Sequence, residues 1–303
     1  MYFFLSIFLS LQFMQPVNLS EKILITHEGE EIKTVNRSDF QLHPIANYLI
    51  DKQKLIELTE YVNSKVYKAP IDAYLNEQNQ LISEEKGSKL NQEKFKMKFY
   101  QSFFSNGSVT INIPIQTLYP RVDSELLSSI KTKQISYYIT YFNSRNKQRS
   151  QNIQLASEAI NNHVVFPGEI FSFNSVVGNR TVEKGYLPAP IIVKGELSEG
   201  VGGGICQVSS TLFNAVDRAG VKIIERYSHS RQVPYVPPNR DATVSWYGPD
   251  FTFKNQHNQP LLIRSKVIGG RLVITIFSSD VIETTKKNIP SAPQKLPKEV
   301  VDM

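Results

Sequence analysis

The most constraining feature of this sequence is the stretch from residue 200 to 220, which reads GVGGGICQVSSTLFNAVDRAG. A run of three glycines ends at Gly204, and apolar side chains then recur at intervals of three and four. That spacing is typical of a helix with one buried face, and Gly220 stands where such a helix commonly ends. The pattern predicts a helix with Cys206 in its first turn.

Cys206 is the only cysteine of the chain, so no disulfide forms within it. The unpaired N–H groups and the positive dipole at a helix N-terminus stabilise a thiolate relative to a thiol. Unpaired cysteines are more often buried as small apolar side chains. The neighbours of Cys206 are glycine, glutamine and serines, however, and this favours a turn at a cleft.

A cysteine that attacks an acyl carbon needs a base, a residue that orients the base and donors for the oxyanion. We predict a Cys206, His229 and Asp241 arrangement, because a proline-rich loop after the helix carries the last two. The candidate oxyanion and binding groups beside the thiol are the Cys206 amide, Gly203, Gly204, Gln207 and Ser209. Spacing alone leaves His229 open as a loop histidine and Asp241 as a turn cap.

Charge and composition narrow the range of partners. The formal net charge of +6 suits an anionic surface such as a wall polymer. We expect no nucleic-acid partner, because the basic residues form no dense stripe interleaved with aromatics. No metal and no cofactor are expected either. The other histidines have no partner at ligand spacing, and the triple glycine lacks the Lys-Ser/Thr of a phosphate-binding loop.

A chain of 303 residues with 41% hydrophobic content is long enough for two cores. We predict an α+β protein with two domains: a small α/β unit over residues 17–125, and a mixed α+β domain over 126–280. In the second, the Cys206 helix packs on antiparallel strands. Residues 1–16, apolar up to Phe13, are predicted to be an export or anchor segment. Residues 281–303, rich in Lys and Pro, are predicted to be disordered.

Individual elements follow from periodicity and turn residues. In the first domain we predict a hairpin through Gly29, helices at 51–66 and 92–104, and one edge strand over 109–115. In the second domain we predict a helix from 151 to 162 capped by Ser150, and two strands around the Pro-Gly of VVFPGEIFSF. A turn-rich segment follows at 178–192. We also predict a strand at 242–246 and a hairpin of strands at 261–267 and 271–278.

Three motifs carry a resemblance to a known family. They are PGEIFSFN at 167–174, GYLPAPIIVKGELSEGVGGGICQVSSTLFNA at 185–215 and HSRQVPYVPPNRDATV at 229–244. In this order they are similar to the VanW family of Gram-positive envelope proteins, over about 136–277. The segment at about 36–125 resembles a peptidoglycan-binding domain. Asn179 stands where the family usually has proline.

The resemblance implies an exported, extracellular protein associated with the cell wall or the membrane, with membrane contact only through the N-terminal segment. Its implied partners are peptidoglycan stem peptides and anionic cell-wall polymers. The family takes its name from a glycopeptide (vancomycin) resistance cluster. Some proteins with this domain resemble L,D-transpeptidases that use the motif cysteine, which makes Cys206 the nucleophile.

In that reaction the thiolate attacks the carbonyl of the residue at stem position three, releases D-Ala and passes the acyl group to an amine of a neighbouring stem. Arginine suits bidentate pairing with carboxylates. The candidate substrate-binding residues are Arg180, Tyr186, Arg231 and Arg240; the arginines also fit an ordinary solvated surface.

Three functions are consistent with the sequence. The first is a cysteine acyltransferase of the L,D-transpeptidase type that acts on stem peptides. The second is a non-catalytic peptidoglycan-binding or scaffold protein associated with envelope function or glycopeptide resistance, in which the glycine-rich motif is structural. The third is a hydrolase that passes the same acyl group to water.

Overall fold

A computed structural model describes residues 21–42, 49–193 and 196–294 of the chain. The described helices are α1 (Lys52–Val66), α2 (Gln92–Phe103), α3 (Ser124–Ile130), α4 (Lys147–Ile160), α5 (Phe173–Val177) and α6 (Ile205–Arg218). The described strands are β1 (Lys22–His27), β2 (Glu30–Asn36), β3 (Tyr74–Leu75), β4 (Leu81–Ile82), β5 (Gly87–Leu90), β6 (Val109–Asn112), β7 (Ile115–Leu118), β8 (Lys133–Tyr141), β9 (His163–Val165), β10 (Ile170–Ser172), β11 (Pro188–Val193), β12 (Glu196–Val201), β13 (Lys222–Glu225), β14 (Thr252–Lys254), β15 (Leu261–Ile268) and β16 (Arg271–Ser278). The predicted α+β class is confirmed.

The helices among the described residues are all too short or too polar to cross a membrane. The predicted export or anchor segment, residues 1–16, lies outside the described part of the chain.

The chain divides into two compact units. Within the described residues, the first unit runs to Asp72 and includes Glu84–Arg121. The second contains Ala73–Ser83 and the chain from Val122 onward. The segment Ala73–Ser83, which contains β3 and β4, thus belongs to the second unit, and the sequence does not predict this. Asn162 fixes it there, since its side-chain oxygen accepts a hydrogen bond from the backbone N–H of Leu75 at 3.0 Å.

In the first unit, α1 and α2 pack against one another and against a sheet of order β2-β1-β6. The helices form where the sequence predicts, because each presents an apolar face and begins at a capping residue. Asp51 caps α1 and Asn91 caps α2 through side-chain oxygens that accept backbone hydrogen bonds. The buried aliphatic and aromatic residues of the two helices are Leu55, Leu58, Val62, Val66, Phe95, Phe99 and Phe103.

The predicted edge strand over 109–115 is confirmed only as far as Asn112. The chain forms two strands there, and β7 pairs with β5 in a separate sheet while β6 pairs with β1. Pro114 lies between β6 and β7 and has no N–H to donate to a ladder. Its carbonyl oxygen instead accepts a hydrogen bond from the backbone N–H of Asn91 at 2.8 Å.

The second unit is built on an antiparallel sheet of order β8-β16-β15-β9. The predicted hairpin of β15 and β16 is confirmed, with seven register pairs that run from Leu262↔Phe277 to Ile268↔Arg271. Helix α6 packs on β8 and β16, while α4 packs on β15 and on α6. The Cys206 helix therefore packs on antiparallel strands, as predicted.

Helix α4 begins one turn earlier than the sequence predicts. Its N-cap is Asn146, whose side-chain oxygen accepts a hydrogen bond from the backbone N–H of Arg149 at 3.0 Å. Ser150, the predicted cap, is instead inside the helix and donates its hydroxyl to the Asn146 carbonyl at 2.6 Å. Asparagine and serine cap helices equally well, and the polar first turn has no apolar residue to reveal it.

The remaining strands flank this core. Strands β9 and β10 form around the Pro-Gly turn as predicted, but β9 pairs with β15 and β10 pairs with β14. The turn-rich segment at 178–192 contains β11, which pairs with β12. The predicted strand at 242–246 is wrong: within it only Thr243 makes a β-bridge, with Tyr227. The backbone N–H of Ser245 instead donates to the Pro249 carbonyl at 2.8 Å, within a local turn.

The prediction of disorder is wrong for the described part of the tail, residues 281–294. Ile282, Ile289 and Ala292 are buried in the core of the second unit. The Tyr138 hydroxyl donates to the Pro290 carbonyl at 2.9 Å, and the Arg218 guanidinium donates to the Ile289 carbonyl at 2.7 Å. Irregularly spaced apolar residues give no periodic signal. Residues 295–303 lie outside the described part.

Candidate functional site

The glycine run determines how α6 starts. Gly204 is the N-cap of α6 and has φ 109°, in the left-handed region that favours glycine. A Cβ at Gly203 would lie 2.4 Å from the Ala189 carbonyl oxygen, so only glycine lets β11 approach this closely. The helix therefore begins tight against β11 and α4, with Cys206 in its first turn as predicted.

Of the two glycines that the sequence singles out, Gly204 lines the cavity in front of Cys206. Gly203 does not, and its carbonyl oxygen accepts a hydrogen bond from the Asn152 side chain at 2.9 Å. Gly203 therefore has a packing role. In the first turn of α6, the Cys206 N–H has no backbone acceptor within the part of the chain that the structure describes, and it remains the candidate oxyanion donor.

The Cys206 thiol is half-buried and in contact with the loop that follows β13. Its sulfur lies 3.5 Å from the Val244 carbonyl oxygen and 3.8 Å from the Thr243 hydroxyl. His229 lines the same cavity, and its imidazole interacts with the thiol strongly enough to lower the pKa of Cys206. The loop thus brings a polar wall and an imidazole to the sulfur.

His229 is held by Asp241 through two hydrogen bonds. The Nδ1 atom and the backbone N–H of His229 each lie 2.6 Å from Asp241 Oδ2. The two side chains are 7% and 9% exposed. The structure therefore brings Cys206, His229 and Asp241 together in the order in which sequence analysis places them.

The electrostatics of the three groups are coupled. Burial raises the pKa of Cys206, but the hydrogen bond and the charge of His229 outweigh it and hold that pKa below the usual thiol range. Burial lowers the pKa of His229, but hydrogen bonds to Asp241 and Cys206 raise it to about 9. Burial raises the pKa of Asp241, and its hydrogen bonds from His229 lower it below its usual value. These shifts favour the charged pair of a Cys206 thiolate and a His229 imidazolium, next to the Asp241 carboxylate, over the neutral pair.

Polar residues of α6 hold the loop of residues 229–244 in place. The Ser209 hydroxyl donates to the Ala242 carbonyl at 2.5 Å, and the Ala242 N–H donates to the Ser210 hydroxyl at 2.8 Å. The Asn214 amide donates to the Arg240 carbonyl at 2.7 Å. The sequence suggested Ser209 as a binding residue, but it is fully buried outside the cavity. Its hydroxyl positions the loop.

Arg240 and Tyr186 also lie outside the cavity, unlike the sequence prediction. The Arg240 guanidinium donates to Asn214 at 2.7 Å and to Asp217 at 2.9 Å. It lies over the Phe213 ring at 4.4 Å. Tyr186 is 3% exposed and belongs to the core of the second unit. Both residues stabilise the fold around the site.

A cavity of about 710 Å³ opens in front of Cys206. Three arginines line it, namely Arg149, Arg180 and Arg231, together with the aromatic side chains of Tyr235, Trp246 and Tyr247. Its described lining contains no aspartate or glutamate. With the His229 imidazolium beside them, the arginines make this an anion-attracting cavity.

Gln207 orients one of these arginines. It is fully buried, and its amide nitrogen donates to Thr140 and to the Tyr141 carbonyl, both at 3.0 Å. Its amide oxygen accepts a hydrogen bond from Arg149 at 2.8 Å. The side chain of Gln207 therefore has no hydrogen left to offer an oxyanion, which corrects that expectation. Sequence analysis missed Arg149, because only the tertiary fold brings α4 to this residue.

Arg180 is held on another wall of the cavity. One terminal nitrogen donates to the Asn174 side chain at 2.7 Å, and the guanidinium lies over the Phe173 ring at 5.8 Å. Asn174 is fixed in turn by Asp250, which accepts from its backbone N–H at 2.9 Å. The second terminal nitrogen of Arg180 is buried and has no hydrogen-bond partner within the described residues. Arg231 is exposed.

Tyr235 is a further site residue that sequence analysis missed. It lines the cavity and is 7% exposed. Burial and the negative charge of Cys206 raise the pKa of Tyr235 well above its usual value. The hydroxyl therefore stays protonated. Its only signal in the sequence was its place in the proline-rich loop.

No cluster of three or more His, Cys, Asp or Glu able to hold a metal ion occurs among the described residues.

Comparisons with known proteins agree with the motifs. A family model described as "VanW like protein" matches residues 148–277. The chain is 56% identical over 286 residues, 94% of each protein, to the uncharacterized protein YoaR of Bacillus subtilis (strain 168). It is 32% identical over 100 residues, 31% of this chain and 36% of the relative, to the vancomycin B-type resistance protein VanW of Enterococcus faecalis (strain ATCC 700802 / V583). No solved structure is significantly similar. Taken with the motifs, the near-full-length match shows that the chain belongs to the VanW family.

Proposed function

We propose that this protein is a cysteine acyltransferase of the L,D-transpeptidase type that acts on peptidoglycan stem peptides. The observation that carries the proposal is the Cys206 thiol, which lines the same anion-attracting cavity as the buried His229–Asp241 pair. A thiolate–imidazolium pair of this kind is an activated nucleophile with an acid beside it. The named resistance protein among the relatives supports a role at the cell wall.

In the first half-reaction, the Cys206 thiolate attacks the carbonyl carbon of the residue at stem position three. The bond from that carbon to the nitrogen of D-Ala breaks, and the His229 imidazolium gives its proton to the departing amine. The products are a thioester on Cys206 and free D-Ala. The charge that develops on the carbonyl oxygen faces the Cys206 N–H and the positive end of α6.

In the second half-reaction, an amine of a neighbouring stem attacks the thioester. Neutral His229 accepts the proton from that amine, and the bond between the acyl carbon and the Cys206 sulfur breaks. A new amide forms, and the thiolate and imidazolium are restored. Asp241 keeps the imidazole oriented in both steps, since it holds the ring and the main chain of His229 together.

The proposal includes an extracellular location, with export through the apolar N-terminal segment and association with the wall or the membrane. The net charge of +6 supports binding to anionic wall polymers. Fractionation of cells into medium, wall, membrane and cytosol tests this part. Recovery of the protein only from the cytosol would overturn it.

The activity is tested with purified protein and disaccharide–tetrapeptide fragments of peptidoglycan. We expect cross-linked dimers and released D-Ala, both lost in Cys206→Ser and Cys206→Ala. Circular dichroism and thermal unfolding of the variants serve as the control for folding. Undiminished activity in both variants overturns the assignment of Cys206.

Two other outcomes would identify the alternatives. Release of D-Ala without dimers shows a hydrolase that passes the acyl group to water. Binding to purified sacculi that is unaffected by Cys206→Ala, with no thiol adduct near neutral pH and no D-Ala release, shows a non-catalytic wall-binding protein.

A further inference from the structure

Two arginines of the cavity are fixed in position by networks built into the fold. Arg149 comes from the first turn of α4, and Arg180 comes from the segment after α5. Both side chains line the cavity that contains Cys206. Arg231, in contrast, is exposed. The fixed pair therefore differs in kind from a solvated surface arginine.

The network around Arg149 starts at Gln207, which is fully buried. Both hydrogens of the Gln207 amide are used by Thr140 and Tyr141, so its oxygen must face Arg149. Rotation of the amide would leave buried donors and acceptors unpaired, which destabilises the folded state. The guanidinium is thus pre-oriented, and Gln207 accepts only one of its five N–H donors.

Arg180 has an unmet hydrogen-bonding requirement. Its terminal Nη1 is buried without a partner within the described residues, although its Nη2 donates to Asn174. Burial lowers the pKa of Arg180, and the negative charge of Cys206 is among the groups that oppose this shift. The guanidinium therefore lies within electrostatic range of the sulfur, with a donor that no described residue satisfies.

Apart from the Cys206 sulfur, the described lining of the cavity offers these cations no counter-charge, because it has no aspartate or glutamate. A planar guanidinium matches the geometry of a carboxylate, which it binds through two parallel hydrogen bonds. A carboxylate that enters the cavity would supply the missing acceptor of Arg180 and a counter-charge for Arg149. The cavity is large enough for a short peptide, at about 710 Å³.

We propose that Arg149 and Arg180 form a carboxylate subsite beside Cys206, which selects acyl donors whose departing residue ends in a free carboxylate. This inference rests on the proposed function for the identity of the donor. It gives a reason why Arg149 is oriented by a hydrogen bond to the fully buried Gln207. It also places substrate recognition on residues outside the cysteine, histidine and aspartate group.

The subsite is tested by alkylation of Cys206 with iodoacetate and iodoacetamide. Both reagents lose iodide to the thiolate and form a thioether, but only iodoacetate carries a carboxylate. Since Cys206 is the only cysteine, the adduct reports on this site alone. We expect Arg149→Gln and Arg180→Gln each to lower the rate ratio of iodoacetate to iodoacetamide by about tenfold, as loss of a nearby charge predicts.

The iodoacetamide rate in the same variants reports whether the fold and the thiolate survive. Arg271→Gln is the matched control, since Arg271 is exposed on β16 and should leave the ratio unchanged. A ratio that is unaltered in both cavity variants, with the iodoacetamide rate preserved, overturns the subsite.

A second measurement uses the unmodified protein and decides the matter if a variant fails to fold. An N-acetylated dipeptide that ends in free D-Ala should slow alkylation by iodoacetamide, and its C-terminal amide should not. Equal protection by the two compounds contradicts the proposal. If the carboxylate effect is present but no acyl transfer is found, the subsite stands and the proposed function fails; transfer without the carboxylate effect gives the reverse conclusion.

Discussion

His229 Nδ1 lies 2.6 Å from Asp241 Oδ2, and the backbone N–H of His229 donates to the same oxygen at 2.6 Å. One buried carboxylate oxygen thus holds the ring and the main chain of a single residue. The imidazole cannot turn away from Cys206 without losing one of these bonds. Because Nδ1 is taken by Asp241, Nε2 is left for the thiol.

The pH dependence of alkylation is the first prediction. The pKa of Cys206 is lowered and that of His229 is raised to about 9, so the thiolate should persist to lower pH than that of an ordinary cysteine. We expect the rate of alkylation by iodoacetamide to fall only when the pH drops below the range in which an ordinary thiol titrates. Turnover should also fall as the pH rises through about 9, because His229 then loses the proton that the leaving amine needs.

His229→Ala supplies the comparison for this profile. Without the imidazolium, burial raises the thiol pKa unopposed by its largest stabilising partner, and the inflection of the alkylation rate should move to higher pH. Identical profiles for the variant and the unmodified protein would show that the ion pair does not form.

Asp241→Asn is predicted to weaken the nucleophile while keeping the shape of the site. Asparagine carries no negative charge, so the pKa of His229 should fall and the thiolate should lose its counter-ion. We expect turnover to fall by about 10²–10⁴-fold, the range typical of acid–base groups. The alkylation rate at pH 7 should fall with it. Asp280→Asn, an exposed carboxylate at the end of β16, should change neither rate; a fully active Asp241→Asn would remove Asp241 from the mechanism.

The sequence predicts those parts of the fold whose signal is local. Helix α1 and the hairpin of β15 and β16 follow from apolar periodicity and from turn glycines, and both are confirmed. The start of α4 is missed because Asn146 and Ser150 are equally good caps with only polar residues between them. Local patterns thus predict which helices and strands form, whereas the residues at which these elements begin and end depend on contacts with neighbouring residues.

The residues of the site also divide into those that the sequence predicts and those that it does not. Cys206, His229 and Asp241 have recognisable residue types, and the helix start of Cys206 can be predicted from the glycines before it. No local pattern marks Arg149, because it is held at the site by its hydrogen bond to the buried amide oxygen of Gln207. Contacts between residues far apart in sequence cannot be predicted from periodicity or spacing.

Ser210→Ala is predicted to destabilise the protein more than Ser209→Ala. The Ser210 hydroxyl accepts the hydrogen bond of the buried Ala242 N–H, so its removal leaves that donor unpaired and costs about 1–3 kcal/mol. The Ser209 hydroxyl donates to the carbonyls of Cys206 and Ala242, and each of these also accepts from Ser210. Urea unfolding of the two variants measures the difference, and a larger loss in Ser209→Ala would contradict it.

Ile289→Ala is predicted to destabilise the second unit. Ile289 is 8% exposed and belongs to the core cluster of that unit, and truncation of a buried isoleucine costs about 2 kcal/mol or more. Lys286→Ala, an exposed position in the same segment, is the matched control. Thermal or urea unfolding tests this, and equal stability of the two variants would show that the tail contributes nothing to the core.

The packing of residues 282–292 also determines when the second unit can finish folding. A ribosome delivers the chain from the N-terminus, so Tyr138 and Arg218 emerge long before Pro290 and Ile289, whose carbonyls they bind. Until then the second unit has an open seam along β8 and α6, with apolar surface exposed to water. Its folding therefore cannot finish before residues 282–292 are available, and these residues close the core that supports the thiol.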